Sequence, residues 1–371
     1  MDVKKVTALV LTLALCLVGV GAMAATAATV SGAAVDSVNG EYESLDAALA
    51  AVSVKNLGSV TVKLAATEFT GGTALLTQAS GTKVTIEGQS GTVVKRQIKV
   101  KGVSSSSAAV TVKNVVFDAT GSSAAYMFGN GDKNSNLNNV TVDGCTFRDD
   151  AKDKNMVSIR GRSAMGTWTV KNSTFDGMGS VVYLNAGSPK ITLDNVTAVN
   201  VQTGVNALSV PSITVKNSEF DISGSVVRYN LDGNGTKIVL DNNEIDSPAP
   251  VQFGNAGRSG QTYEVEVTNN DFSLTTGEAD MTIVYMNGAE EDMVTVEKDN
   301  NTYLPETTPT PTPKPTATPK PTATPKVTAT PVPDTGKLPK TGDSSSMMLW
   351  AGLMMAAVAA FVVMGKKRRM N

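Results

Sequence analysis

One short phrase recurs along this chain and restricts its fold more than any other feature. It opens at Val110, Val140, Trp168, Ile191, Ile213, Ile238, Val265 and Val294, reading VTVKNVVFD, VTVDGCTFR, WTVKNSTFD, ITLDNVTAV, ITVKNSEFD, IVLDNNEID, VEVTNNDFS and VTVEKDNN. Neighbouring copies start 22 to 30 residues apart, a period at which strand-rich units stack into solenoids. Within a copy apolar and polar residues alternate, as a strand covered on one side requires. Ile213, Val215, Ser218 and Phe220 are expected to face inward, and Thr214, Lys216 and Glu219 outward. The parity breaks at Asn217. Asn recurs there as Asn114, Asn172, Asn195, Asn217, Asn242 and Asn269, with Gly144 and Gly88 as substitutes. Both residue types tolerate a left-handed backbone, so each copy reads as strand, one-residue bend, strand.

A third apolar run separates the copies: AYMFGN, MVSIRG, VVYLNA, VVRYNL, VQFGNA and IVYMNG. Three short strands per repeat trace one coil of a parallel β-helix. This pattern, with its Asn column, resembles the right-handed β-helix of the pectate-lyase-like superfamily. The expected fold is therefore all-β, a single-stranded right-handed parallel β-helix of about ten coils over residues 28–303, roughly 45–50 Å long. The residue before the Asn supports stacking independently. Down the copies it is Lys113, Asp143, Lys171, Asp194, Lys216 and Asp241, with Glu87 before, and Thr268 and Glu297 after. Equivalent positions in stacked strands lie about 4.8 Å apart, where opposite charges attract and like charges repel.

The chain has no His, which removes His acids, bases and metal ligands. Its two cysteines are Cys16, in an apolar leader, and Cys145, which aligns with the inward Val115, Ser173 and Val196 and is expected in the core. Without Lys4, Lys5, Asp2 and the C-terminal Asp343, Lys366, Lys367, Arg368 and Arg369, 26 basic residues face 32 acidic ones, a net charge of −6. That balance argues against nucleic acid and anionic wall polymers as partners.

Residues 1–27 carry Lys4 and Lys5, an apolar stretch and small residues at an A-x-A pattern, the features of a secretory signal peptide. Leu15 before Cys16 argues against a lipoprotein leader. After a short spacer, Ser44 can cap a helix near residues 44–52 with Leu45, Ala48, Leu49 and Val52 on one face, placed to close the first coil. Residues 304–337 are Pro/Thr-rich and are expected to form a disordered, extended, wall-spanning linker reaching roughly 100 Å. Leu338, Pro339, Lys340, Thr341 and Gly342 then spell LPKTG, followed by the apolar segment 347–365 and the basic tail 366–371. This ordered set resembles the cell-wall sorting signal of Gram-positive surface proteins. The resemblance implies that a sortase thiolate attacks the Thr341 carbonyl, that Gly342 leaves, and that the peptidoglycan cross-bridge takes Thr341. The apolar segment would hold the chain in the membrane only transiently, before sorting. An earlier LPETT at Leu304 lacks both Gly and a following apolar run.

Many pectate-lyase-like rods are polysaccharide lyases or hydrolases, with carboxylates on the outer face of one strand ladder. Here the third run offers Met127, Ser158, Tyr183, Arg228, Gln252 and Tyr285 outward and no carboxylate. Acids recur after the Phe as Asp118, Asp149, Asp176, Asp221 and Asp246. A rung at every coil is turn chemistry first, with calcium as the lesser alternative and no cofactor otherwise expected. Tyr183, Arg228, Gln252 and Tyr285 form the candidate ligand face, suited to carbohydrate or a host or matrix protein. The expectation is a non-catalytic adhesin or glycan-binding module whose partners are sortase and the cross-bridge. A wall-attached lyase or glycoside hydrolase is the alternative.

Overall fold

The computed structural model describes residues 26–305 except residues 66, 104–106, 153–154, 231–234, 255–262, 275–280, 282 and 290. The expected signal peptide up to residue 25, the linker from residue 306, the sortase motif, the apolar segment and the basic tail lie outside the described residues.

Strands stack in three parallel columns. The first face holds Gly58–Leu64, Thr82–Glu87, Ala109–Lys113 and Leu137–Asp143, then the openings of Ala164–Asp176 and Lys190–Leu208. It continues through Ser212–Lys216, Thr236–Asp241 and Tyr263–Thr268 to Val294–Asp299. The second face runs from Glu68–Phe69 through Val116–Asp118, Thr146–Arg148 and Glu244–Asp246 to Thr302–Pro305. The third runs from Ala74–Thr77 through Tyr126–Asn130, Ser180–Leu184 and Val251–Gly254 to Ile283–Met286. The result is an all-β parallel solenoid of about eight turns. The expected ten included the first row and the incomplete last row at 294–305, which have a neighbouring turn on one side only.

The alternating residues meet inside. Val110, Val140, Trp168, Ile191, Ile213, Ile238 and Val265 follow one another in register and are all buried. The phrase's Phe forms a second column, in which Phe117 stacks on Phe147 at 4.5 Å and Phe147 on Phe175 at 5.1 Å. Each such side chain contributes about 1.5–3 kcal/mol by leaving water, so the core is built from repeated small stacks.

The bends follow the Asn column. Asn114, Asn172, Asn195, Asn217, Asn242 and Asn269 have φ of 52° to 58°, and Gly144 has φ of 64°. Gly88 differs: it is not left-handed, and a Cβ there would collide with the Asn114 carbonyl. The side-chain amides also link turns. Asn195 Nδ2 donates to Asn172 Oδ1 at 2.9 Å, Asn242 Nδ2 to Asn217 Oδ1 at 2.8 Å, and Asn217 Nδ2 to Asp194 Oδ1 at 2.8 Å. The last copy is shifted by two residues, since Val265 pairs with Val296 and Thr268 with Asp299. Asp299, not Glu297, therefore precedes the final bend, and Asn300 at φ 52° extends the ladder by donating to Asn269 at 2.7 Å. The same shift puts Lys298 in the apolar column beside Val267.

At the N-terminal end Ser44 Oγ accepts from Ala47 N at 3.1 Å, and the helix α1 (Leu45–Ala51) buries Leu45, Ala48 and Leu49. The stretch read as a spacer contains a strand, Ala28–Ser31, that pairs antiparallel with both Gly40–Tyr42 and Gly58–Leu64. Its antiparallel run occupies the outer edge of the first row.

Candidate functional site

Register fixes which side chain each third-face strand turns outward: Leu75, Lys99, Gly129, Arg160, Tyr183, Asn206, Arg228, Gln252 and Val284 in succession. Tyr183, Arg228 and Gln252 of the expected ligand face stand in this column. Tyr285 does not; it pairs with Phe253, and the two rings stack at 6.0 Å and 13°. Partial burial, with Glu291 nearby, pushes the Tyr285 phenol above its ordinary pKa. Met127 and Ser158, expected outward, are fully buried. The cause lies where the chain enters the third strand: Met127 and Phe128, like Ser158 and Ile159, both face the core, so strict alternation starts one residue late.

Arg160 is the residue that sequence reasoning overlooked. Its guanidinium carbon lies 5.7 Å from the Tyr126 ring centre and 5.4 Å from that of Tyr183, within cation–π range of both. Aligning the Ile159-Arg160 step of MVSIRG with the Val227-Arg228 step of VVRYNL would have found it, whereas matching the leading apolar pairs lands on Ser158.

The acids of the second face do not form the expected rung at every turn. Asp118 pairs in register with Arg148, and Arg148 with Asp176, so Asp149 lies outside the column; Val199 interrupts it again before Asp221 and Asp246. Asp118 accepts from Arg148 at 2.9 Å. Burial opposes ionisation of Asp118, but hydrogen bonds from Thr120 and Arg148 outweigh it and hold the carboxyl below its ordinary range. Among the described residues no three acidic or Cys side chains converge as a metal site. Cys145 is buried, and burial pushes its thiol up to about 11.

A shallow groove of about 360 Å³ follows the Asn bends. Asn217 and Asn242 line one side, and Glu219, Glu244 and Asp271, consecutive in register, line the other. Beneath it runs an inner amide ladder that the sequence reading also missed. Ser218 N donates to Asn243 Oδ1, Asn243 N to Asn270 Oδ1, and Asn270 N to Asn301 Oδ1, each at 3.0 Å. The Asn doublets at 242–243, 269–270 and 300–301 were its signal.

None of these surfaces says where the protein resides; the C-terminal segment does. Residues 330–371 match the LPXTG cell wall anchor motif. The wall anchor marks a cell-wall-anchored surface protein of a Gram-positive bacterium, processed by sortase and attached to peptidoglycan. It covers Leu338, Pro339, Lys340, Thr341 and Gly342. Neither the curated proteins nor the solved structures yield a match. Anchor and solenoid thus occupy separate parts of one chain, and the geometry of the solenoid surface is what bears on its use.

Proposed function

We propose that the solenoid is a non-catalytic adhesive module, exported by residues 1–27, carried on the Pro/Thr linker 304–337 and joined to the cross-bridge through Thr341. In this reading α1 and Ala28–Ser31 cap a right-handed rod of the pectate-lyase-like kind. The carrying observation is the third-face column, where Arg160, Tyr183, Asn206, Arg228 and Gln252 present cationic, aromatic and amide groups in a line. No carboxylate interrupts that line, so it offers binding groups without an acid–base pair. The test is a glycan and matrix-protein array probed with the full wall-anchored chain. Binding to a defined ligand is the expected result; a blank array would leave a wall scaffold.

The enzymatic alternative has one observation in its favour, the groove with Glu219 and Glu244 on adjacent turns. Paired carboxylates are what glycoside hydrolysis needs. Release of reducing or unsaturated sugar from uronate polysaccharides, lost in Glu244→Gln, would replace the adhesive reading with this one.

A further inference from the structure

We propose that the outer surface of the first face binds the first face of a second copy of this chain, antiparallel, with the two copies anchored to different cells. This surface is separate from the third-face column, and the proposal stands without the adhesive reading of that column.

Its basis is a charge ladder that complements itself. The residue before each bend runs in register from Lys63 to Asp241 through eight rows, and its sign changes at every row. A twofold dimer sets the same patch of both copies together. Let the twofold axis run parallel to the strands, between the Asp143 and Lys171 rows. Lys63 then meets the partner's Asp241, Glu87 the partner's Lys216, Lys113 the partner's Asp194 and Asp143 the partner's Lys171. An even number of alternating rows makes every one of these contacts opposite in sign. The ladder is not saturated inside the fold, where ion pairs join Lys171 to Asp143 and Lys216 to Asp194. Among the described residues Lys63, Glu87 and Lys113 hold no ion pair.

The rest of the face agrees. Beside the ladder stands one threonine per row from Thr61 to Thr214, short side chains that permit the close approach, about 10 Å, of packed sheets. In the remaining outward column Lys83, Lys190 and Lys237 meet the partner's Ser212, Ala109 and Ser59, so no two cations face each other. The other faces lack this property. Glu219, Glu244 and Asp271 follow one another on the second, and the charges of the third-face column are the cations Lys99, Arg160 and Arg228. Runs of one sign cannot complement themselves.

A twofold axis along the rod would make the copies parallel and set the ladder against the Lys83 column. It matches Glu87, Asp194 and Asp241 with lysines but leaves Asp143 and the four ladder lysines without an opposite charge. The antiparallel arrangement pairs all eight. It also turns the two C-terminal ends of the solenoids in opposite directions, and each chain continues from that end to its own LPKTG. Two walls facing each other meet that requirement.

Eight rows of five residues cover about 38 Å by about 16 Å, or about 600 Å² per copy. The total of about 1,200 Å² is at the lower limit for a stable interface. One pair is therefore weak, and contact between cells depends on many pairs acting together.

The full chain would be displayed on a sortase-competent Gram-positive host that does not clump by itself, in two populations of different fluorescent colour, with mixed clumps counted by flow cytometry. Wild-type populations should clump, and added salt should disperse them. Asp143→Lys with Asp194→Lys makes the four central rows cationic, and Lys113→Glu with Lys171→Glu makes them anionic. Those rows face one another across the axis, so neither variant should clump with itself, and a mixture of the two should clump again. Surface display and thermal unfolding check that both variants fold. For the arrangement, cells carrying Thr141→Cys and cells carrying Thr169→Cys are mixed with a short thiol-to-thiol crosslinker; Cys145 is buried and stays unreacted. Chains should join between the populations and not within either. Wild-type cells that stay dispersed, a charge variant that clumps with itself, or a mixture of folded variants that does not clump overturns the proposal. Joining of Thr141→Cys to itself also overturns it, since that marks the parallel pair. Ligand binding on the array is read separately, so the failure of either reading leaves the other standing.

Discussion

Asn217 shows how much a single position carries in this fold. Its φ of 53° suits Asn or Gly, while a residue with an ordinary Cβ is strained there by about 1–2 kcal/mol. Its amide also donates to Asp194 and accepts from Asn242, bonds of about 0.5–1.5 kcal/mol each. Asn217→Ala should lose both contributions and Asn217→Gly only the second, so thermal unfolding should rank wild type, then Gly, then Ala. Equal melting of the two variants would show that backbone strain does not govern the bend. At Cys145 burial pushes the pKa up to about 11, so between the ordinary thiol value of 9.0 and 11 the folded state keeps the neutral form while the unfolded chain ionises. An aromatic disulfide reagent at pH 8 should therefore leave Cys145 untouched in the folded protein and label it rapidly in denaturant; fast labelling without denaturant would contradict a sealed core. These single residues were legible to different degrees. The outer Asn column announced itself because few residue types accept its backbone. Asn243 and Asn270, by contrast, are inward polar groups that alternation alone cannot separate from the bend residue beside them.

Between neighbouring turns the first face alternates charge over more rows than the phrases alone suggested, because Lys63 pairs in register with Glu87, and Glu87 with Lys113. Two rungs close as ion pairs, Lys171 with Asp143 and Lys216 with Asp194, each at 3.3 Å. Hydrogen bonding from Asn217, assisted by Lys216 and against partial burial, lowers the Asp194 pKa from 3.8. Because the folded-state value is the depressed one, the stabilisation is present above pH 3.8 and is lost as pH falls through the folded value. Asp194→Asn should melt lower than wild type at pH 7, by an amount within about 1 kcal/mol, and the two should converge as the pH falls below the depressed folded-state value. A gap that persisted in acid would mean that Asp194 acts by shape and not by charge. The strands themselves could be read from period and parity. The third-face register could not, because two consecutive residues turn inward at its entry and move the first outward position from Met127 to Gly129 and from Ser158 to Arg160.

For the solenoid as a whole, each turn depends on its neighbours, so stability is close to a sum of nearest-neighbour terms. The repeat, its parallel stacking and the anchor were visible in the sequence, since each recurs or follows a fixed order. The cationic column was visible only in part, because it joins residues of several turns through a register that bulges and entry bends decide. The alternating charges have a consequence at this scale: they distinguish one number of turns from the next. Removing residues 191–212 joins Lys190 to Ile213, keeps every apolar column in register and sets Lys216 beside Lys171. Removing residues 191–237 joins Lys190 to Ile238 and sets Asp241 beside Lys171, which restores alternation with one turn fewer. Like charges at the strand spacing cost about 0.2–1 kcal/mol where opposite ones contribute that much, and salt screens both. Raising salt should therefore increase the melting temperature of the one-turn deletion and leave that of the two-turn deletion unchanged or slightly lower. An equal salt response in the two would show that the charges do not sense which turns lie side by side.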